Sequence, residues 1–298
     1  MDNMTNSSEY DFQTTRRRIR LMTTLFVVVG VSALALLVCV LSGFLLAQRE
    51  GARRERCEYN LAGLYRATNE YVEATGYYPP AYTQDVEGRR LHSWRVLLLP
   101  FLGEEELYSQ IRLDEPWDSE WNSQFWTQTP NVFLCTSMPT HDGKEYKGMT
   151  ETDRCAFSCV LGETTLFAPD GASASPAALV DGASNTILYV ERKSPCNWMD
   201  PTSDLTFEEV VAENAKPESE RVNFGSWHGA GEYVVLCDGA TRFLSEKVDE
   251  TVLRLLLGAS DSAELPTADV EPTNAERGAN EEAEPDESSA IPTGNTDE

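Results

Sequence analysis

Basic residues are scarce in this chain: 24 Lys and Arg stand against 49 Asp and Glu, a net charge of −25. A surface this acidic repels phosphate backbones, which argues against nucleic acid as a partner. Histidine is scarcer still, with only His92, His141 and His228. No His-Glu-x-x-His occurs, so a common zinc-protease arrangement is missing. No Gly-x-Ser-x-Gly elbow and no phosphate loop appear, which removes the usual serine-hydrolase and nucleotide-binding motifs. None of the seven cysteines forms a Cys-x-x-Cys pair, which weakens zinc-knuckle and thioredoxin-like readings. No internal repeat of roughly 20–50 residues is evident. With these constellations missing, the chain is expected not to be an enzyme.

Charge is also absent from one long run. Residues 21–47 are 27 consecutive uncharged and mostly apolar positions. About 20 apolar residues cross a bilayer, so this run reads as a transmembrane helix. It is long for a cleavable signal and lacks a small-x-small cleavage site, so it is expected to stay as a signal anchor. Arg16, Arg17, Arg18 and Arg20 precede it; Arg49, Arg53, Arg54 and Arg56 follow it. The first cluster lies closer to the run, which favours a cytoplasmic N-terminus. The organisation follows: a basic cytoplasmic N-terminus at 1–20, the anchor at 21–47, an extracytoplasmic domain at 48–258 and an acidic tail at 259–298. Residues 1–15 and the tail are expected to be disordered, the tail because it is rich in Pro, Glu, Ala and Ser and has no aromatics. The six cysteines after the span, an even number, suit an oxidising compartment, with buried thiols as the alternative.

Within 48–258, Cys57, Leu61, Leu64, Tyr65, Thr68, Tyr71 and Val72 recur at helical spacing and form one apolar stripe. Gly76 and Pro79-Pro80 end it. Residues 91–113 read as an apolar helix broken near Pro100 and a second helical piece from Gly103. Strands are expected at 132–135, at 155–161 and twice within 177–191, around Asp181-Gly182. Residues 223–244 read as a buried strand at 232–237 between a glycine-rich turn, His228-Gly229-Ala230-Gly231, and an Asp238-Gly239 turn. Asp249 caps a last helix that Gly258 ends.

Three groups invite a chemical reading. Cys237 with His228 suggests a thiol enzyme, but a strand over 232–237 at about 3.3 Å per residue puts its ends roughly 20 Å apart. His228 is therefore expected to touch neither Cys237 nor Asp238. Asp114, Glu115 and Asp118 could supply oxygen ligands to calcium, although the spacing fits no EF-hand and Trp117 reads as a loop anchor. Asp181 to Asn185 could bind a ligand or form an Asx-type turn. Glu191, after an apolar strand, is either an ion-pair partner or a site residue.

Several blocks carry a resemblance in order along the chain. They are Gln48-Arg49-Glu50, Ala52-Arg53-Arg54, Cys57, Asn60-Leu61, Gly76 and Pro79-Pro80. Then come Ser93 to Pro100, Asp114 to Ser119, Phe133-Leu134-Cys135, Asp181 to Ile187, and Trp198 with Pro201 and Asp204. The last is His228, nine residues, then Asp238-Gly239. Over residues 48–258 the chain resembles the large planctomycete family of pseudopilin-like domains of unknown function numbered fifteen-fifty-nine. The resemblance implies a pilin-like α+β fold, with a long N-terminal helix laid on an antiparallel sheet, and a domain outside the cytoplasmic membrane. It implies no established activity. His228, Asp238, Gly239, Asp181, Gly182 and Asn185 stand at the family's signature positions. Related members carry a Gly-Phe-Thr-Leu-x-Glu prepilin site before the apolar run. This chain has Arg18-Ile19-Arg20-Leu21-Met22-Thr23-Thr24-Leu25 instead, so prepilin cleavage is not expected. Cys57 and Cys135 are expected to form a disulfide that ties the long helix to the sheet; the other four cysteines could pair in three ways.

The functional expectation is a membrane-anchored structural or interaction protein of the cell envelope, held in the cytoplasmic membrane through 21–47. It needs no cofactor, calcium aside. A solute- or carbohydrate-binding module is the alternative, with Trp121, Trp126, Trp198 and Trp227 as candidate exposed aromatics.

Overall fold

The computed structural model describes residues 3–138, 153–259 and 270–272. His141 and nearly all of the acidic tail lie outside the described residues. The chain divides into two compact units, Met1–Ala52 and Arg53–Glu298.

Helix α1 runs Asn3–Thr75. The expected disorder of residues 1–15 gives way to helix from Asn3, because no proline or glycine occurs before Gly30 to stop it. In the first unit, large apolar side chains between Leu21 and Leu46 are 51–73% exposed. They occupy every side of the helix. A helix apolar all round needs an apolar medium or a core, and this one is long and apolar enough to cross a membrane.

The second unit is a mixed α+β fold. The remainder of α1 buries Cys57, Leu61, Leu64, Ala67 and Thr68, the stripe the spacing predicts. It ends where Gly76 takes a φ of 81° and donates its N–H to the Val72 carbonyl. Strands β1 (Tyr82–Gln84) and β2 (Arg90–Ser93) form a hairpin that leads into α2 (Trp94–Leu97) and α3 (Glu105–Gln110). The main sheet holds β3 (Asp153–Ser158), β5 (Ile187–Asn197), β7 (Gly231–Leu236), β8 (Thr241–Ser245) and β9 (Val270–Pro272). Their order is β3-β5-β7-β8-β9, every pairing antiparallel. Between them, β4 (Val160–Leu161) and β6 (Leu205–Thr206) make a short parallel pair.

Strand β7 shows how the layers arise. Tyr233 and Val235 join the core shared with α1, while Val234 and Leu236 join a second core. This is the period-two alternation of a strand with both faces covered. The second core belongs to α4 (Phe207–Asn214) and α5 (Glu250–Leu257), through Val210, Val211, Val252, Leu253, Leu256 and Leu257. A helix on one face and two on the other give three layers around one sheet.

Two expected strands are absent. Residues 132–135 turn instead through a 3₁₀ segment, Asn131–Phe133, set off by Pro130, and only Leu134 bridges to Cys155. In 177–191 only the second half is a strand. The first half is 3₁₀ turns, because Gly182 has a φ of 89° and Asn185 donates its amide to the Asp181 carbonyl at 2.9 Å.

Candidate functional site

Four groups from distant parts of the second unit converge inside the core. Cys57 comes from α1. Cys135 follows the 131–133 turn, which Asn60 fastens to α1 by donating to the Leu134 carbonyl at 2.8 Å. Glu191 lies on β5 and His228 in the loop before β7. The Cys57 and Cys135 sulfurs are 3.3 Å apart; His228 Nε2 is 3.1 Å from Cys57 Sγ and 3.5 Å from Cys135 Sγ. Glu191 Oε1 lies 3.7 Å from His228 Nε2. The four ligand-capable atoms lie within 4.8 Å of one another, and all four residues are buried.

The surroundings fix these side chains. Glu191 Oε2 accepts the Tyr233 N–H at 2.8 Å, while Oε1 makes no hydrogen bond among the described residues. The His228 N–H donates to Ser226 Oγ, and its carbonyl accepts from Arg54 at 2.9 Å. Burial pushes the Glu191 carboxyl up to about 7, and the neighbouring Cys135 adds to the rise. The Cys135 thiol is lowered to about 5, first by the hydrogen bond from Cys57 and then by His228. Cys57, the donor of that bond, is raised. Two hydrogen-bonded thiols beside an imidazole and a carboxylate are a donor set for a soft or borderline cation.

The expected pairing of Cys57 and Cys135 is half met. They meet in the core, but 3.3 Å exceeds the roughly 2.05 Å of a disulfide bond. All seven cysteines are free thiols, the two sulfurs sharing their space with His228 and Glu191. Cys155 and Cys196 form a second buried pair, directly opposite each other on β3 and β5.

The contacts shown for His228 are with Cys57, Cys135, Glu191, Ser226, Arg54 and Tyr233, in line with the strand arithmetic. His228 itself precedes the start of β7. At the other end Cys237 sits by Tyr78, and burial pushes its thiol up to about 12. The two remaining signature turns meet each other: the Cys237 N–H donates to the Thr186 carbonyl and the Asp238 N–H to the Ala183 carbonyl. Asp238 Oδ1 accepts the Ala240 N–H. Gly239 has a φ of 94°, and a Cβ there would lie 2.5 Å from the Tyr65 ring on α1. These signature residues shape the turns and their seat on the helix.

Asp114, Glu115 and Asp118 do not converge on one another. Glu115 accepts from Arg112 at 2.8 Å and Asp118 from Arg89 at 3.4 Å, both near the surface. Trp117 packs on Trp126 with ring centroids 5.1 Å apart, the anchor role its position suggests. The tryptophans expected at the surface divide. Trp198 is fully buried against Phe133, Trp126 and Trp227 are partly buried, and Trp121 is exposed under the Arg112 guanidinium. Trp198 therefore belongs to the core and lines no surface site.

Sequence reading identifies Cys57, Cys135 and His228 separately and leaves Glu191 open; it does not foresee that they share one centre. The available signal was a carboxylate closing a run of buried strand residues, which no core tolerates without a partner. It also missed a second buried polar cluster. Arg95 and Asp204 pair at 2.7 Å with both side chains buried. Asp204 further accepts from Trp94 Nε1, Ser158 Oγ and the Cys159 N–H. Arg95 also donates to the Phe157 carbonyl and to Ser93 Oγ.

Among known families, one whose description is a protein of unknown function (DUF1559) matches residues 47–213. That is more than half of the chain. The chain belongs to the DUF1559 family. No curated protein and no solved structure matches it. The DUF1559 match takes in Cys57, Cys135, Glu191 and the Arg95–Asp204 pair; His228 and Asp238-Gly239 lie beyond its end. The centre thus joins three residues of the matched DUF1559 region to one from the following hairpin.

Proposed function

We propose that this DUF1559 protein is a membrane-anchored structural or interaction protein, with residues 21–47 in the cytoplasmic membrane and its folded domain on the extracytoplasmic side. The observation that carries this reading is the apolar helix of the first unit, exposed on all sides and uncharged for 27 residues. The arginine cluster at 16–20 sits nearer the apolar run than the cluster at 49–56, which favours a cytoplasmic N-terminus. Within the domain, the signature glycine and the Asp181–Asn185 turn serve packing, and the core polar clusters are turned inward. Such a domain suits docking to envelope partners more than turnover of a substrate. The apolar run is long for a cleavable signal and lacks a small-x-small cleavage site, which supports a retained anchor.

The test is protease treatment of intact cells with a permeabilised outer layer, followed by detection with tags at either end of the chain. The reading expects the domain to be digested from outside and the N-terminal tag to be protected. Protection of the domain after the outer layer is permeabilised, with the cytoplasmic membrane intact, would refute it. In-cell crosslinking then reports the partners: recovery of the same envelope proteins from independent preparations supports an interaction role, and capture of soluble cytoplasmic proteins contradicts it.

A further inference from the structure

We propose that Cys57, Cys135, Glu191 and His228 bind one zinc ion in a closed, structural site. The argument begins with shape. Four ligands arranged tetrahedrally at zinc–sulfur distances of about 2.3 Å and zinc–nitrogen or –oxygen distances of about 2.0–2.1 Å stand about 3.3–3.8 Å from one another. His228 Nε2 stands 3.1 and 3.5 Å from the two sulfurs and 3.7 Å from Glu191 Oε1, the sulfurs are 3.3 Å apart, and all four atoms lie within 4.8 Å of one another. Side-chain shifts of about 1 Å or less close them on one ion. The donor set of two sulfurs, one imidazole nitrogen and one carboxylate oxygen suits a borderline-soft cation such as zinc, whereas calcium and magnesium take oxygen ligands.

An independent observation points at a ligand. Among the described residues, Glu191 Oε1 is buried and makes no hydrogen bond, with His228 Nε2 standing off at 3.7 Å, while its other oxygen is fixed by the Tyr233 N–H. A buried carboxylate oxygen left without a hydrogen bond is costly. A cation at the centre supplies its missing partner and offsets the negative charge of the thiolates. The immediate supports are those a metal site needs: the Tyr233 N–H on Glu191 and the Ser226 hydroxyl on the His228 backbone hold two ligands in place.

The ligands set the role. All four positions are filled by protein and all four residues are buried, so no coordination position is left for water or substrate. This is the closed pattern of a structural site rather than a catalytic one. Zinc there ties α1 to the 131–135 turn, to β5 and to the loop that opens the last hairpin, across sequence separations of up to 171 residues. Fastening segments so far apart stabilises the folded state through the binding energy of the metal. Binding releases the thiol protons to solvent and requires no oxidant or reductant.

The experiment uses the full-length chain purified in detergent without reductant or chelator. Elemental analysis is expected to give about one zinc per chain, or uptake of about one after dialysis against zinc chloride. Replacing it with cobalt(II) is expected to give tetrahedral ligand-field bands and a thiolate-to-cobalt charge-transfer band in the unaltered protein. His228→Gln and Cys135→Ser are each expected to weaken zinc affinity at least 100-fold, and chelation to lower the melting temperature of the unaltered chain but not of the variants. The cobalt spectrum needs no variant, so misfolding of a substituted chain leaves the test intact. Failure to bind zinc, a cobalt spectrum without the thiolate band, equal zinc content in the variants, or a quantitative Cys57–Cys135 disulfide by peptide mapping would each overturn the assignment.

Discussion

Gly239 shows what a single position can require. Its φ of 94° is strained for any other residue, and the ring of Tyr65 occupies the space a side chain would take. Gly239→Ala should therefore cost about 2–4 kcal/mol, the sum of left-handed strain and overpacking. Denaturant unfolding should show a lower midpoint at unchanged slope. Adding Tyr65→Ala should recover part of the loss; strictly additive effects would show that the two positions do not clash. Asp204 poses the opposite problem, a buried charge satisfied by Arg95, Trp94, Ser158 and Cys159. Breaking one side of such a pair leaves an uncompensated charge, so Arg95→Met is expected to cost about 3–5 kcal/mol. Arg95→Met with Asp204→Leu should cost less than the sum of the singles, as read in a double-mutant cycle. Glu232 on β7 gives a pH dependence. Burial outweighs its 3.3 Å contact with Arg221, and Glu191, Glu218 and Glu246 add to the effect, so its carboxyl rises from 4.5 to about 8. A group raised on folding favours the folded state while protonated. Its contribution is complete below about pH 4.5 and disappears as pH climbs through about 8. Glu232→Gln should flatten the fall in stability over that window, and an unchanged pH profile would show that other groups set it.

At the scale of elements, much of this fold is legible because local chemistry and tertiary packing agree. The stripe from Cys57 to Val72, the stop at Gly76, the Asp238-Gly239 turn and the last helix all appear where their residues place them. Asp249 accepts the Thr251 N–H at 2.8 Å, and α5 ends at Gly258. Asp249→Ala should remove about 1 kcal/mol, measurable as a lowered melting temperature, with Asp249→Ser retaining most of it. Loss of nothing in the alanine variant would mean that packing alone holds α5. What was not legible fails for stated reasons. Residues 132–135 have the composition of a strand, but Pro130 sets a turn and Asn60 on α1 holds the segment by side-chain bonds that no local pattern encodes. Helix α4 carries a visible signal, the Thr206-x-x-Glu209 capping box, whose reciprocal bonds form in the structure. The buried centre was the least legible feature. Its members are 57, 135, 191 and 228 in the sequence, and only the stacking of α1 on β5 and β7 brings them together.

For the whole molecule, charge and hydropathy are partitioned along the chain, and the partition makes a claim about where each part resides. The first unit presents apolar side chains on every side of α1, including Leu34 at 61% and Leu37 at 53% exposure. The second unit holds its apolar residues in two cores on either face of a sheet. The helix of the first unit is long and apolar enough to cross a membrane. Leucine at the centre of a spanning helix favours insertion by about 0.5 kcal/mol, and arginine there opposes it by about 3 kcal/mol. Leu34→Arg with Leu37→Arg therefore shifts insertion by about 7 kcal/mol, enough to abolish anchoring. The two changes leave the second unit untouched, because neither residue lies in its cores. The unaltered chain should stay with the membrane pellet after alkaline carbonate extraction, and the double variant should move to the supernatant as a folded protein with the same melting temperature as the unaltered domain. Retention of the double variant in the pellet would place the anchoring energy outside residues 21–47.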